Sequence, residues 1–122
     1  MGLLDSFLGK NREEKEGAKV NWIPLTNISQ LDDIVEVSKT NKVIIFKHST
    51  RCSISASVLN KFEKKIGEDY QLYFLDLISH RDISNEIANR FNVVHQSPQV
   101  LLIENSKVTQ HDSHYGILDI NF

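Results

Sequence analysis

Cysteine is almost absent from this chain, because Cys52 is the only one among 122 residues. A single cysteine cannot form an internal disulfide, so the chain is not a small secreted scaffold held together by disulfides. Proline and glycine are scarce as well, with two and five residues, which excludes collagen-like and low-complexity repeats. What remains is an ordinary globular composition, 40% hydrophobic and 25% charged.

The chain also lacks a strong excess of either charge and any long apolar run. Its formal net charge of −2 gives no sign of the basic face that is typical of nucleic-acid-binding proteins. No apolar run approaches the roughly 20 residues that a membrane-spanning helix needs. The sequence therefore predicts a cytoplasmic protein with no nucleic-acid partner and no membrane span.

The first 19 residues differ from the rest of the chain. The opening "MGLLDSFLG" matches the loose N-myristoylation pattern and also allows two amphipathic turns. It is not a secretory signal, because its apolar stretch is short and no basic segment precedes it. We expect a short helix and a charged linker over residues 1–19, followed by a single domain over residues 20–122. Lipidation or contact with a membrane surface is the alternative for the opening segment.

From residue 20 onward, extended runs alternate with segments of helical periodicity. Apolar runs rich in β-branched or aromatic residues predict strands, and apolar residues at three- and four-residue spacing predict helices. The expected strands cover residues 20–25, 42–47 and 70–77, and the expected helices cover residues 29–40, 54–66 and 82–91. Pro24 lies in the first run, which favours an edge position for that strand.

The last quarter of the chain shows a different pattern. Residues 97–113, "SPQVLLIENSKVTQHDS", predict a β-hairpin, and "HYGILDINF" then begins a last helical turn or two. The resulting order is β-α-β-α-β-α-β-β-α. Right-handed crossovers make the first strands parallel, and the hairpin adds antiparallel partners. The sequence thus predicts an α/β fold with a mixed central sheet and helices on both faces.

This order places Cys52 between the carboxyl end of a central strand and the start of a helix. The unpaired N–H groups and the positive dipole end of a first helical turn stabilise a thiolate, which is the nucleophilic form. Arg51 would add positive charge beside it, and His48 would contribute if its ring folds back over the loop. The hydroxyls of Ser53 and Ser55 would donate hydrogen bonds to the sulfur. The alternative is a buried thiol with a purely structural role.

Two segments resemble the landmarks of one superfamily. The run "STRCSIS", between "KVIIFKH" and a predicted helix, resembles the thioredoxin active site in its monothiol form. The run "HQSPQVLLIENSKV" resembles the second landmark, a cis-proline just before the hairpin strand. Together, on a chain of this size and element order, they are similar to the monothiol bacilliredoxin family of bacteria that use bacillithiol. The resemblance covers residues 20–115 approximately.

The resemblance implies roles for individual residues. Cys52 matches the catalytic cysteine, and Ser55 stands where a dithiol relative has its resolving cysteine. Ser97 and Pro98 match the cis-proline segment that shapes the substrate groove. The chain departs from the family in having Ser53, where a proline often follows the cysteine, and in the shortness of its last helix.

The resemblance also implies an activity, thiol–disulfide exchange by a single cysteine. Cys52 would remove bacillithiol from mixed disulfides on client proteins, and a low-molecular-weight thiol would then resolve the adduct. Bacillithiol would serve as a co-substrate, with no bound cofactor. A catalytically silent thioredoxin-like module that binds other proteins is the alternative.

Other thiol and metal chemistries fit the sequence less well. A low-molecular-weight phosphatase needs an arginine six positions beyond its cysteine, and residue 58 is a valine. A Cys–His hydrolase would need His48 or His95 as a base, and no flanking sequence supports one. The "HDSH" run at residues 111–114 has no cysteine nearby and lies in or beside a predicted strand, so no metal site is expected.

Overall fold

The computed structural model describes residues 20–122 of the chain. The expected terminal helix, the charged linker and the myristoylation pattern all fall within residues 1–19, outside the described residues. The division into a terminal segment and one domain therefore stays a prediction.

The described residues form five strands, three α-helices and one 3-10 helix. The strands are β1 (Trp22–Pro24), β2 (Lys42–His48), β3 (Tyr70–Asp76), β4 (Gln99–Glu104) and β5 (Lys107–Ser113). The helices are α1 (Gln30–Val37), α2 (Ser53–Lys65), α3 (Arg81–Phe91) and the 3-10 helix His114–Asp119. The predicted order of strands and helices is confirmed, with a difference in the last element.

The five strands form one mixed sheet in the order β1-β3-β2-β4-β5. Strands β1 and β2 run parallel to β3, whereas β4 runs antiparallel to β2, and β5 antiparallel to β4. Strand β1 lies at one edge of the sheet, the position that Pro24 favours because its nitrogen carries no hydrogen. The predicted α/β fold with a mixed sheet is confirmed.

Because of the directions in which the strands run, several connections lie at the same end of the strands. The parallel strands β1, β2 and β3 end there, and the antiparallel strand β4 begins there. In the register of the sheet, Lys47 of β2 lies opposite Gln99 of β4, and His48 lies beside Asp76 of β3. Cys52 follows β2 after three intervening residues, so we call this end of the strands the Cys52 edge.

Strand β2 contributes to a hydrophobic core on each face of the sheet. Val43 and Ile45 pack with apolar side chains of α1 and α3, and Ile44 and Phe46 pack with those of α2 and the 3-10 helix. All four side chains are fully buried, as expected for a strand covered on both faces. Since successive side chains of a strand point to opposite faces, the next residue, Lys47, belongs to the α1/α3 side.

The last element differs from the expected α-helix. His114 has a positive φ of 55°, and the following turns form a 3-10 helix of six residues. This short element is nevertheless anchored, because Ile117 and Ile120 are buried beneath α2. The Lys65 ammonium at the end of α2 also donates a hydrogen bond to the carbonyl of Leu118 at 2.6 Å. The C-terminal segment therefore completes the core on that face.

Candidate active site

Cys52 is the N-cap residue of α2 and has an extended backbone, with φ −117° and ψ 117°. Its N–H donates to the carbonyl of Ser49 at 3.2 Å, and its carbonyl accepts the N–H of Ala56 at 3.2 Å. The side chain is half-buried. The thiol thus lies at the amino end of a 13-residue helix, where backbone N–H groups lack helical partners and favour negative charge.

The two residues that flank Cys52 are exposed. Arg51 precedes it, and its backbone N–H donates to the hydroxyl of Ser49 at 3.4 Å. Ser53 follows as the first residue of α2. The loop before the helix is therefore held through Ser49, while the side chains of Arg51 and Ser53 remain accessible to a bound partner. The contribution of the Arg51 charge to a thiolate at Cys52 stays a prediction.

The hydroxyl of Ser55 does not serve the sulfur as expected. Ser55 is fully buried, and its Oγ accepts the N–H of Ser49 at 3.1 Å and lies 2.7 Å from Nδ1 of His48. Within residues 20–122, no hydrogen bond joins the hydroxyl of Ser53 or Ser55 to Cys52. The reason is that Ser55 faces inward, toward the sheet, while Cys52 is the N-cap residue at the end of the helix and its thiol makes no capping hydrogen bond.

His48 packs beneath α2, where its ring contacts two aromatic side chains. The ring centroid lies 5.4 Å from that of Phe74 and 6.4 Å from that of Phe46. Burial of the ring lowers the pKa of His48, although the carboxylates of Asp76 and Glu63 act in the opposite direction. The imidazole is therefore neutral near pH 7.

The hydrogen bonds of Ser55 assign the tautomer of His48. The buried hydroxyl accepts a hydrogen bond from the N–H of Ser49, and its one other hydrogen-bond partner among the described residues is His48. The proton of the hydroxyl therefore needs an acceptor on that ring. Nδ1 of the neutral ring provides that acceptor, which leaves the ring hydrogen on Nε2. We call His48, Ser49 and Ser55 the His48 network. It joins the end of β2, the loop and the first turn of α2, and so fixes the start of the helix that carries Cys52.

The Ser97–Pro98 peptide bond is cis. Pro98 is buried directly before β4, and its carbonyl accepts the N–H of His114 at 3.0 Å. The Ser97 Oγ is buried and has no hydrogen-bond partner among the described residues. Because Gln99 lies opposite Lys47 in the sheet, this segment approaches the Cys52 edge. The two predicted landmarks therefore occur on the same side of the molecule.

A second polar cluster, which sequence analysis did not predict, lies on the other face of the sheet. The Lys47 side chain is fully buried, and its Nζ lies 3.3 Å from His95 Nδ1 and 3.5 Å from the carbonyl of Ser84. The Ser84 hydroxyl lies 3.0 Å from the same ring nitrogen. We call Lys47, Ser84 and His95 the Lys47 cluster. The available signal was a lysine within an apolar run, at a position that faces a core.

The Lys47 cluster is electrostatically unfavourable for positive charge. Burial lowers the pKa of Lys47 to about 8, and the nearby Arg81 guanidinium acts in the same direction. The pKa of His95 is also lowered, first by burial and then by the charges of Lys47 and Arg81. In the part of the chain that the structure describes, no carboxylate forms an ion pair with Lys47.

A groove elsewhere in the described residues lies away from the Cys52 edge. An open groove lined by Trp22, Glu63 and Tyr70 lies at the amino ends of β1 and β3, on the side opposite the Cys52 edge. Between residues 20 and 122, no group of three His, Cys, Asp or Glu side chains is arranged to hold a metal ion. Over the same residues, no helix has the length and apolar character to cross a membrane.

The sheet order and connections are those of thioredoxin-like proteins, and solved structures agree. A protein described as a candidate oxidoreductase with a thioredoxin fold is 35% identical, with a TM-score of 0.70 over 79% of this chain and 85% of that one. Schistosoma mansoni thioredoxin is 19% identical, with a TM-score of 0.61 over 81% and 88%. Spinach chloroplast thioredoxin f is 16% identical, with a TM-score of 0.62 over 80% and 86%. The last two comparisons show the fold alone.

A family model assigns the chain to a narrower group than the fold does. The model of the monothiol bacilliredoxin BrxC matches residues 23–121, which is nearly the whole described part of the chain. The chain belongs to the monothiol bacilliredoxin family. Family, fold and single cysteine together support a thiol oxidoreductase-like function and fit a monothiol mechanism.

Proposed function

We propose that this protein is a thiol–disulfide oxidoreductase that removes bacillithiol from mixed disulfides on client proteins, with Cys52 as its nucleophile. The observation that carries the proposal is the half-buried thiol at the start of α2, in a chain of the monothiol bacilliredoxin family. Pro98 at the same edge supports a groove there that binds the incoming disulfide. Bacterial cytoplasm suits this reaction, because free thiols stay reduced in that compartment.

The first step transfers bacillithiol to the protein. The Cys52 thiolate attacks the bacillithiol sulfur of the mixed disulfide, and the bond between that sulfur and the client sulfur breaks. The client cysteine leaves as a thiolate and takes up a proton from solvent. Cys52 then carries bacillithiol in a new disulfide, so the client is reduced while Cys52 is oxidised.

The second step regenerates the enzyme and needs a thiol from outside. A hydroxyl is neither acidic enough nor a reductant, so Ser55 cannot resolve the adduct, and its hydroxyl is already buried in the His48 network. A second bacillithiol thiolate attacks the bacillithiol sulfur of the adduct and releases the Cys52 thiolate. The two small thiols leave as a disulfide, which balances the electrons given to the client.

Exposed apolar side chains support a protein as the client. Four large apolar residues among the described ones are exposed: Ile28, Ile78, Val94 and Tyr115. Three of them lie in connections at the Cys52 edge, after β1, after β3 and before Pro98, and Tyr115 lies in the 3-10 helix that follows β5. Val94 is the most exposed of them, at 78%. Exposed apolar groups at the same edge as the thiol favour contact with a protein surface over a small disulfide alone.

The proposal is tested with the Cys52→Ser variant and a bacillithiolated client protein. We expect the variant to lose client reduction entirely and to keep its thermal unfolding midpoint, since serine is close to cysteine in size and the site is half-buried. Mass spectrometry of the wild type during turnover should find bacillithiol on Cys52. Wild-type protein alkylated at Cys52 is the matched control, because it blocks the sulfur without a sequence change.

Two outcomes would contradict the proposal. If Cys52→Ser reduces the client at the wild-type rate, Cys52 is not the nucleophile. If wild-type Cys52 stays unmodified in the presence of the mixed disulfide while the client still binds, the protein is a silent binding module.

A further inference from the structure

Lys47 is the titratable side chain whose position is hardest to explain by stability. It is fully buried, and the groups around its ammonium are a neutral imidazole and a backbone carbonyl. Removing an ammonium from water without a paired carboxylate is costly. Strongly perturbed titratable groups of this kind are concentrated at functional sites. The location of the Lys47 cluster, beside the segment that leads into Pro98, indicates which function Lys47 serves.

The direction of the Lys47–His95 hydrogen bond follows from the chemistry of the two groups. An ammonium can only donate, so Nδ1 of His95 must be the acceptor and must carry no proton. The Ser84 hydroxyl approaches the same nitrogen and adds a second donor. His95 is therefore held as the neutral tautomer with its hydrogen on Nε2.

His95 belongs to the segment that leads into Pro98. Residues 92–98 connect α3 to β4. Side chains of the sheet hold two neighbouring points of this segment, Val94 and His95. Gln99 donates its side-chain amide to the carbonyl of Val94 at 2.9 Å, and Lys47 donates to the ring of His95 at 3.3 Å. Gln99 and Lys47 lie opposite each other in the register, so one cross-strand pair holds both points.

We propose that Lys47 is a positioning residue for the exchange reaction, holding residues 92–98 through His95 so that Pro98 stays in place at the Cys52 edge to receive the mixed disulfide. This inference rests on the proposed function of Cys52. Lys47 acts through His95 and does not touch the reacting sulfurs. Its loss should therefore weaken binding of the mixed disulfide more than the chemical step.

The surroundings of Lys47 also define a pH dependence. Helix α3 contributes Arg81 and Ser84, the connecting segment contributes His95, and the flanking strands contribute the neutral residues Gln99 and Leu75. None of these groups is a carboxylate, so none keeps the ammonium charged as pH rises. Above pH 8 the neutral amine donates more weakly, and the hold on His95 weakens with it. Binding of the mixed disulfide should then weaken as well.

The test compares Lys47→Met with Lys42→Met, which makes the same substitution at an exposed position of the same strand. For Lys47→Met we expect KM for the bacillithiolated client to rise about tenfold at pH 7, with kcat changed by less than about twofold, as for loss of one charge-assisted hydrogen bond. The rise of KM above pH 8 should disappear. Lys42→Met should match the wild type in both constants.

A spectroscopic measurement tests the contact itself. In an NMR titration of the histidine rings, His95 should take up its proton at a higher pH in Lys47→Met than in the wild type, because the adjacent positive charge is gone. A second pair of variants gives a rescue test. His95→Gln keeps a side-chain oxygen that can accept from Lys47, so its KM should stay closer to the wild type than that of His95→Ala.

The outcomes separate this inference from the proposed function. An active wild type whose KM and His95 titration do not change in Lys47→Met overturns the role of Lys47 and leaves that of Cys52 intact. Equal KM values for His95→Gln and His95→Ala also overturn it. A wild type that never reduces the mixed disulfide overturns the proposed function and this inference together.

Discussion

Consecutive residues of β2 begin two polar networks on opposite faces of the sheet, and the two networks are built differently. The His48 network has short contacts of 2.7 and 3.1 Å between neutral groups, and each of its members is paired. The Lys47 cluster has a buried ammonium with longer contacts of 3.3 and 3.5 Å. Next to it, the Gln99 Oε1 is buried without a hydrogen-bond partner among the described residues.

This difference indicates different roles at the same edge. A buried network of satisfied neutral groups makes the structure rigid and specifies one arrangement. A buried charge without a paired carboxylate costs stability, and it persists where it serves a purpose other than stability. Substitutions on the two faces should therefore change the free energy of unfolding in opposite directions.

The largest effect is expected for Lys47→Met, which should stabilise the protein at pH 7. The pKa of Lys47 is lowered from 10.5 to about 8 in the folded state, so between these values the unfolded chain binds a proton that the folded protein has lost. Stability thus rises with pH across this window, and the full penalty applies at pH 7. Removing it should raise the free energy of unfolding by roughly 1–3 kcal/mol, after allowance for lost hydrogen bonds.

Urea denaturation at pH 7 and at pH 10 measures this effect. The gain from Lys47→Met should be smaller at pH 10, where the folded wild type no longer carries the buried charge. Lys42→Met is again the control, and its effect at either pH should stay within about 0.5 kcal/mol. A loss of stability in Lys47→Met at pH 7 would show that the ammonium is a net stabilising group and would remove the contrast between the two faces.

On the other face, Ser55→Ala should destabilise the protein. The substitution leaves the buried N–H of Ser49 and the Nδ1 of His48 without their shared partner. The expected loss is about 1–3 kcal/mol, the usual penalty for unpaired buried polar groups. Ser57→Ala in the same helix is the matched control and should be within about 0.5 kcal/mol of the wild type. Equal stabilities of the two variants would mean that the His48 network contributes nothing to the fold.

Local patterns were sufficient to predict much of the fold and the location of the site. The apolar runs predicted β2 and β3, and Pro24 predicted the edge position of β1. The order of the elements predicted where Cys52 lies. Each of these features depends on neighbouring residues in the chain. The cis bond before Pro98 was expected from resemblance alone.

The remaining features depend on contacts between distant residues. The direction of the Ser55 hydroxyl is set by His48 and Ser49 beneath the helix, not by its distance of three residues from Cys52. The Lys47 cluster joins residues 48 positions apart, and a run such as "KVIIFKH" does not show which partner will meet its lysine. The last helix is a 3-10 helix whose first residue, His114, adopts a left-handed backbone that local propensity did not indicate.

The smallest effect concerns the two histidines, one on each face of the sheet. Both have a pKa that burial lowers from the usual 6.5, so as pH falls below that value the unfolded chain takes up protons that the folded protein resists. Stability should therefore fall between pH 7 and pH 5. His48→Gln and His95→Gln should each flatten this dependence, as measured by urea denaturation across the range.

Repeating the two histidine substitutions in the Lys47→Met variant distinguishes the contribution of His48 from that of His95. The charge of Lys47 is one cause of the lowered pKa of His95, whereas it is not among the causes for His48. Adding His95→Gln to Lys47→Met should thus flatten the pH dependence less than it does in the wild type, while adding His48→Gln should have its full effect. If both histidine substitutions lose the same share of their effect in that background, the two networks are coupled through β2, and the sheet does not insulate one face from the other.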